Sequence, residues 1–168
     1  MGLPVQRLAI ATNVNDILAR TLASGSYELR DVLPTTSPSM DIQVSSNFER
    51  LLFDLEGRDG TTTASRMKVF EQMGKTALSA DMRGRASLFK SMRADADEMS
   101  GAMRWAHEKC AEIIDPHTAI ALHAARNSGI AADIPIVTLA TAHPAKFPDA
   151  VERATGMRPS LPTRVGNL

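Results

Sequence analysis

The sequence predicts an α/β fold with more helix than strand and an incomplete parallel sheet. Apolar residues recur at helical spacing in several segments, whereas only two or three short runs are compatible with β-strands. One of these runs, 135–140 (PIVTLA), is apolar and β-branched without polar alternation, which is typical of a central parallel strand covered on both faces. Because such a strand needs neighbours on both sides, we expect some strands of the sheet to belong to polypeptide outside this chain.

The composition limits the classes of function. The chain has 168 residues, of which 43% are hydrophobic and 23% charged, as in an ordinary globular domain. Its 19 basic residues balance its 19 acidic ones, so we expect no nucleic-acid partner and no attraction to a membrane surface. No leader segment and no apolar run of about 18 residues is apparent. Cys110 is the only cysteine, which favours a reducing, cytoplasmic location.

The N-terminal region predicts a strand, a loop and a helix in that order. Residues 7–11 (RLAIA) form a β-compatible run. The side-chain oxygens of Asn13, Asn15 and Asp16 follow and are suited to cap a helix that begins near Asp16. Gly25 is a typical residue for the end of that helix.

Four helices are predicted between residues 46 and 114. Ser46 and Glu49 have the spacing of a capping box before an apolar face that includes Phe48 and Leu52. The other three are indicated by apolar spacing: one that carries Met67, Phe70 and Met73 and ends at Gly74, one near 81–93, and one at about 95–114.

The C-terminal region predicts two more helices on either side of the 135–140 strand. Asp115 followed by Pro116 is a strong helix start, and the alanine-rich helix that follows ends near Gly129. A tight junction at 141–144 (TAHP) leads into a helix that runs to about Arg153. We expect residues 1–160 to form one portion of a catalytic fold and residues 161–168 to form a tail.

Three groups of residues are candidates for catalysis or ligand binding. Asp115, His117 and Thr118 combine an acid, an imidazole and a hydroxyl at a helix N-terminus, which suits either a cap or a catalytic part. Thr141 follows a predicted strand, where ligands of α/β sheets bind, although a plain turn fits equally. The segment 37–47 is rich in hydroxyls and amides, and suits either a phosphate ester or a surface loop with a cap.

The sequence lacks the motifs of metal sites, nucleotide sites and serine hydrolases. The four histidines do not have the spacing of a metal motif, so we expect no metal. The chain has no glycine-rich nucleotide loop and no G-x-S-x-G elbow, which argues against hydride transfer, nucleotide hydrolysis and serine hydrolysis.

Four motifs together resemble those of threonine synthases and occur in that family's order. They are 11–18 (ATNVNDIL), 36–42 (TSPSMDI) with 45–50 (SSNFER), 115–119 (DPHTA) and 141–147 (TAHPAKF). The similarity runs from Gly2 to about Pro162 and corresponds to the C-terminal portion of the family. It implies the fold type II of pyridoxal-phosphate (PLP) enzymes, which is the tryptophan synthase β-like fold. It also implies conversion of O-phospho-L-homoserine and water into L-threonine and phosphate.

The resemblance assigns roles to several residues. It places the hydroxyl of Thr141 opposite the pyridine nitrogen of PLP. The remaining candidates divide into a cofactor group, Asn13, Asn15 and Asp16, and a substrate group, Ser39, Ser46, Asn47 and His117.

The same resemblance implies that essential parts lie elsewhere. In this family the Schiff-base lysine and a Gly-Asn-Phe-Gly phosphate loop come before the place where 1–4 (MGLP) aligns. No lysine of this chain matches the position of the Schiff-base lysine. We therefore predict no catalytic residue here, PLP as cofactor of the full-length enzyme, and no activity of the chain alone. The alternative is a non-catalytic interaction module that complements a separately encoded N-terminal half.

Overall fold

The computed structural model describes residues 4–163, which divide into two compact units. Unit 1 holds the described part of Met1–Leu33 together with Asp41–Arg93, and unit 2 holds Pro34–Met40 with the described part of Ala94–Leu168. Of the predicted tail, residues 164–168 lie outside the described range, as do residues 1–3 at the start of the family similarity. No helix in the described range is long and apolar enough to cross a bilayer.

Unit 1 is a mixed α/β unit, as predicted. Its elements in chain order are β1 (Leu8–Thr12), α1 (Ile17–Ser24), β2 (Ser26–Glu28), α2 (Phe48–Leu55), α3 (Gly60–Met73), β3 (Lys75–Ala77), α4 (Ala80–Arg85) and β4 (Phe89–Arg93). Strands β1 and β4 pair in parallel, with Leu8 opposite Phe89 and Thr12 opposite Arg93. Strands β2 and β3 form a small antiparallel pair. Helix α1 ends as predicted at Gly25, which takes the left-handed backbone at φ 84°.

The predicted helix near 81–93 is wrong in its second half, which is strand β4. Met82, Phe89 and Met92 imitate a helical stripe, and the segment Phe89–Arg93 (FKSMR) lacks β-branched residues. Pairing with the backbone of β1 determines its conformation instead. Strand propensity depends on the neighbours that a segment meets, so local spacing alone does not detect such a strand.

Aromatic packing forms the core of unit 1. The Tyr27 ring lies 5.0 Å from the Phe48 ring and 4.4 Å from the Phe70 ring between centroids. Leu52 is fully buried beside them, so the predicted apolar face of α2 is confirmed. Burial raises the pKa of the Tyr27 hydroxyl, although a hydrogen bond from the Ser45 amide opposes this shift.

Two predicted helix caps in unit 1 are wrong. Asn47, immediately before α2, has helical backbone angles (φ −67°, ψ −19°), whereas a capping residue needs extended ones, and neither Asn47 nor Ser46 caps this helix. Asp16 makes no side-chain cap bond with α1 either. A complete capping box occurs in unit 2, where Asp95 accepts hydrogen bonds from the amides of residues 97 and 98 and Glu98 accepts one from the Asp95 amide.

Unit 2 consists of helices and turns in the described range. Its elements are a 3-10 turn (Pro38–Met40), α5 (Ala96–Cys110), α6 (Pro116–Arg126), a second 3-10 turn (Pro144–Lys146) and α7 (Pro148–Thr155). Helix α5 packs against both α6 and α7. Buried residues from the three helices form its apolar interior, among them Met99, Met103, Ile120 and Val151.

The segment 135–140 is not a strand, contrary to prediction. Val137 is 82% exposed and Leu139 70% exposed, and no described residue pairs with the backbone of this segment. A strand exists only where a neighbouring backbone supplies hydrogen bonds, and residues 4–163 supply none at this place. The apolar pattern of the segment is thus not sufficient for strand structure.

Candidate functional site

Asp115 organises a buried polar cluster at the start of α6 in unit 2. Its side chain is fully buried and caps the helix as predicted, since Oδ1 accepts hydrogen bonds from the amides of His117 (2.8 Å) and Thr118 (3.4 Å). Pro116 occupies the first helical position, where a missing amide proton costs nothing. Capping is not the only role of the carboxylate, because each of its two oxygens also accepts a hydrogen bond from a side chain.

The imidazole of His117 connects this carboxylate to the Ser39 backbone. His117 Nδ1 lies 2.9 Å from Asp115 Oδ1, and Nε2 accepts a hydrogen bond from the Ser39 amide at 3.3 Å. Because Nε2 is the acceptor, the proton of the neutral ring lies on Nδ1 and is donated to Asp115. The Phe147 ring covers the imidazole, with centroids 4.7 Å apart. Both ring nitrogens are therefore engaged within the protein.

The hydroxyl of Thr118 makes the corresponding connection to Thr141. It donates to Asp115 Oδ2 and accepts a hydrogen bond from the Thr141 amide at 3.2 Å. The Thr141 side chain is exposed, and its hydroxyl has no hydrogen-bond partner within residues 4–163. The position of the Thr141 backbone is thus fixed while its hydroxyl stays available to a ligand.

A cleft in the same unit lies beside the Ser39 turn. Its volume is about 270 Å³, and it is lined by Thr35, Thr36, Pro38 and residues 146–150. Lys146 is exposed and forms no salt bridge with any described residue. The cleft therefore combines hydroxyls, an aromatic ring and an available cation.

Asn13 and Asn15 form a separate cluster in unit 1 and are both buried. The side-chain amides of the two residues donate to Asp41 Oδ1 at 2.7 and 3.0 Å. Asn15 also exchanges two hydrogen bonds with the Leu33 backbone, at 2.8 and 2.9 Å. These contacts hold the chain near Leu33 and Asp41 against the end of β1.

The other predicted site residues of unit 1 lie at two places. Asp16 pairs with Arg20 at 2.9 Å and lies 3.9 Å from Arg93. Ser46 and Asn47 are exposed at the start of α2, and their side chains make no hydrogen bond with a described residue. The structure therefore joins Ser39, His117 and Thr141 through one network in unit 2, and Asn13 with Asn15 in unit 1.

Asp41 was assigned no role from the sequence, whereas Thr118 was named only as one member of the Asp115 motif. Asp41 lies 28 residues from Asn13, and only the fold reveals their contact. Thr118 belongs to a motif that was recognised, and its place three residues after a capping aspartate was the available signal. Within the described range, no group of three or more potential ligand side chains is arranged to hold a metal ion.

Comparison with known proteins identifies the relatives of this fold. The family model described as "Threonine synthase, C-terminal" matches residues 118–168. A threonine synthase of Pseudomonas aeruginosa is 44% identical over 100% of this chain, which covers 36% of that relative. The chain therefore spans about a third of the length of such relatives.

Solved structures give the same result. A PLP-bound threonine synthase from Brucella melitensis superposes with a TM-score of 0.93 at 48% identity, covering 99% of this chain and 36% of that one. A yeast threonine synthase superposes with a TM-score of 0.85 at 40% identity, covering 92% of this chain and 34% of that one. Agreement in sequence and fold over nearly all its residues shows that the chain is similar to a C-terminal part of the threonine synthases.

Proposed function

We propose that this chain supplies the C-terminal part of a cytoplasmic, PLP-dependent threonine synthase of fold type II, a lyase of threonine biosynthesis. The whole enzyme would convert O-phospho-L-homoserine and water into L-threonine and phosphate. The observation that carries this proposal is the exposed hydroxyl of Thr141, which has no hydrogen-bond partner among residues 4–163 and lies on a backbone that Thr118 holds in place. The single exposed cysteine, Cys110, agrees with a reducing compartment.

The residues of unit 2 fit PLP at its pyridine nitrogen. A free hydroxyl such as that of Thr141 donates a hydrogen bond to a ring nitrogen without transferring a proton. PLP, when bound, supplies an electron sink for the carbon atoms of an amino acid substrate. A neutral donor leaves that sink weaker than a carboxylate partner does, which suits elimination and replacement at the β and γ carbons.

The residues of unit 1 fit PLP less directly. The side-chain amides of Asn13 and Asn15 are occupied by Asp41 and by the Leu33 backbone. We therefore propose that they shape the cofactor entrance, and that Asp16 keeps its place there through Arg20.

Substrate binding would use exposed polar groups. Ser39, Ser46 and Asn47 offer hydroxyl and amide groups in the segments that the family similarity marks for substrate. His117 has no ring nitrogen free for a phosphate, because Asp115 and the Ser39 amide occupy both. Its proposed role in substrate binding is therefore to hold the Ser39 turn in place.

A chimaeric enzyme tests the proposed function. In the Brucella melitensis threonine synthase, the C-terminal third would be replaced by this chain, and phosphate release from O-phospho-L-homoserine would be measured. We expect the chimaera to turn over substrate and this chain alone to show no turnover, because no lysine here matches the cofactor-bonding position. An inactive chimaera that folds and binds PLP, or activity of the chain alone, would contradict the proposal.

The second candidate function is a module that associates with a separate N-terminal half. The exposed apolar side chains of Ile136, Val137 and Leu139 favour it, because covering such a run with another polypeptide lowers the free energy of the system. The test is to mix the chain with the N-terminal two thirds of the Brucella enzyme, using that enzyme's own C-terminal third as the positive control. Complex formation with activity supports a two-part enzyme, and complex formation without activity supports a purely structural module.

A further inference from the structure

Unit 2 contains one buried carboxylate whose hydrogen bonds lead to two of the predicted ligand-contacting residues. Asp115 reaches the Ser39 amide through His117 and the Thr141 amide through Thr118. We infer that Asp115 is a positioning residue, which sets the places of Ser39 and Thr141 together through these two hydrogen-bonded arms. The inference rests on the proposed function in one respect, namely that Ser39 and Thr141 face substrate and cofactor.

Capping alone does not account for this arrangement. A capping aspartate needs one oxygen for the first amides of its helix, and Asp115 Oδ1 serves the amides of His117 and Thr118 in this way. The second oxygen, Oδ2, accepts from the Thr118 hydroxyl, which leaves a Thr118 lone pair directed to the Thr141 amide. An alanine or valine at position 118 would leave α6 capped and would still remove this connection.

In the His117 arm, each ring nitrogen also has a defined role as donor or acceptor. The Asp115 carboxylate is acceptor-only when ionised, so it draws the imidazole proton to Nδ1 and leaves Nε2 as an acceptor. The Ser39 amide uses that acceptor at 3.3 Å, although 78 residues separate the two positions. The His117 side chain is only 5% exposed, and the Phe147 ring packs against it, so the orientation of the imidazole is fixed.

The network explains how exposed residues keep defined positions. Ser39 lies in the 3-10 turn Pro38–Met40 and Thr141 in an irregular segment, and neither belongs to a strand or an α-helix. In the segment 139–142, the Thr141 amide alone has a hydrogen-bond partner within the described residues. The bond from Thr118 therefore anchors Thr141 alone in its segment, and the bond from His117 adds to the other hydrogen bonds of the turn around Ser39.

Amide hydrogen exchange of the complete 168-residue chain, followed by NMR, tests the inference without cofactor or substrate. After correction for intrinsic rates, we expect the Thr141 amide to exchange roughly two- to tenfold more slowly than those of Ala140 and Ala142. Thr118→Val should remove this protection, and Thr118→Ser should restore it. Thr155→Val is the matched control, since its hydroxyl bonds only within and just after α7.

A second comparison of variants distinguishes the arm through Thr118 from the arm through His117. Thr118→Val should accelerate exchange at Thr141 and leave the Ser39 amide unchanged, whereas Asp115→Ala should accelerate both. The Val151 amide, bonded to Phe147 O, reports general loosening of the unit and should stay constant in Thr118→Val. Where a variant does not fold, the comparison of Thr141 with Ala140 and Ala142 in the unaltered chain still decides.

Equal exchange of these three amides in the unaltered chain, or an unchanged Thr141 rate in Thr118→Val, would overturn the inference. Neither result bears on whether the chimaera turns over phosphohomoserine, so failure of this inference and failure of the proposed function are distinguished.

Discussion

Thr141→Val in the chimaeric enzyme should lower kcat for phosphate release by on the order of 10- to 100-fold. Valine has the shape of threonine without the hydroxyl, so the backbone anchor to Thr118 is retained while the donor to the pyridine nitrogen is lost. A loss of about 1.4 to 2.7 kcal/mol of transition-state stabilisation corresponds to this range of rates. Steady-state kinetics at saturating PLP would measure the effect.

Thr141→Ser is the matched control, because it keeps a hydroxyl at the same position. We expect it to retain kcat within about threefold of the unaltered chimaera, since the donor is preserved. Equal loss of activity in both variants would show that the methyl group or the backbone matters instead of the hydroxyl. Full activity of Thr141→Val would contradict the role given to this residue.

Asp115→Ala should lower the free energy of unfolding of unit 2 by roughly 3 to 7 kcal/mol. Loss of the cap costs about 1 kcal/mol, and each of the buried donors of His117 and Thr118 left without a partner costs about 1 to 3 kcal/mol. Urea denaturation followed by the fluorescence of Trp105 would measure the change, because this residue is the sole tryptophan and lies in α5 of the same unit.

Asp115→Asn separates the charge from the shape. Asparagine caps helices as well as aspartate does, so its cost should be clearly smaller than that of alanine. Asp133→Ala, at an exposed position of the same unit, should change stability by less than about 0.5 kcal/mol. A cost for Asp115→Ala that does not exceed 1 kcal/mol would show that the buried donors find other partners.

Features that depend on a few neighbouring residues were predictable from the sequence. The end of α1 at Gly25, the end of α3 at Gly74 and the start of α6 at Asp115 follow from backbone angles and capping chemistry within one turn. The capping box predicted at Ser46 failed because the preceding turn is already helical, which the S-x-x-E spacing does not reveal.

Features that depend on distant backbone were not predictable in this way. Strand β4 exists because β1 lies beside it, and residues 135–140 lack strand structure because no described backbone lies beside them. One segment with a weak strand pattern therefore became a strand, and one with a strong pattern did not. In both cases the deciding factor is the hydrogen-bond partner, which local composition does not contain.

The same distinction holds for the candidate site. Asp115, His117 and Thr118 lie within one turn, and their joint cluster was visible in the sequence. The links to Ser39 and Thr141 span 78 and 23 residues, and only the fold shows them. The sequence left two roles open for the Asp115 motif, a helix cap or a direct part in catalysis. The structure shows the cap together with hydrogen-bonded connections to Ser39 and Thr141.

The most direct test of the whole account is the 15N chemical shift of the pyridine nitrogen in isotopically labelled PLP bound to the chimaeric enzyme. We predict the shift of a neutral nitrogen that accepts a hydrogen bond, a change toward the free-base value in Thr141→Val, and recovery in Thr141→Ser. A nitrogen resonance that is identical in all three proteins would contradict the contact between Thr141 and the cofactor.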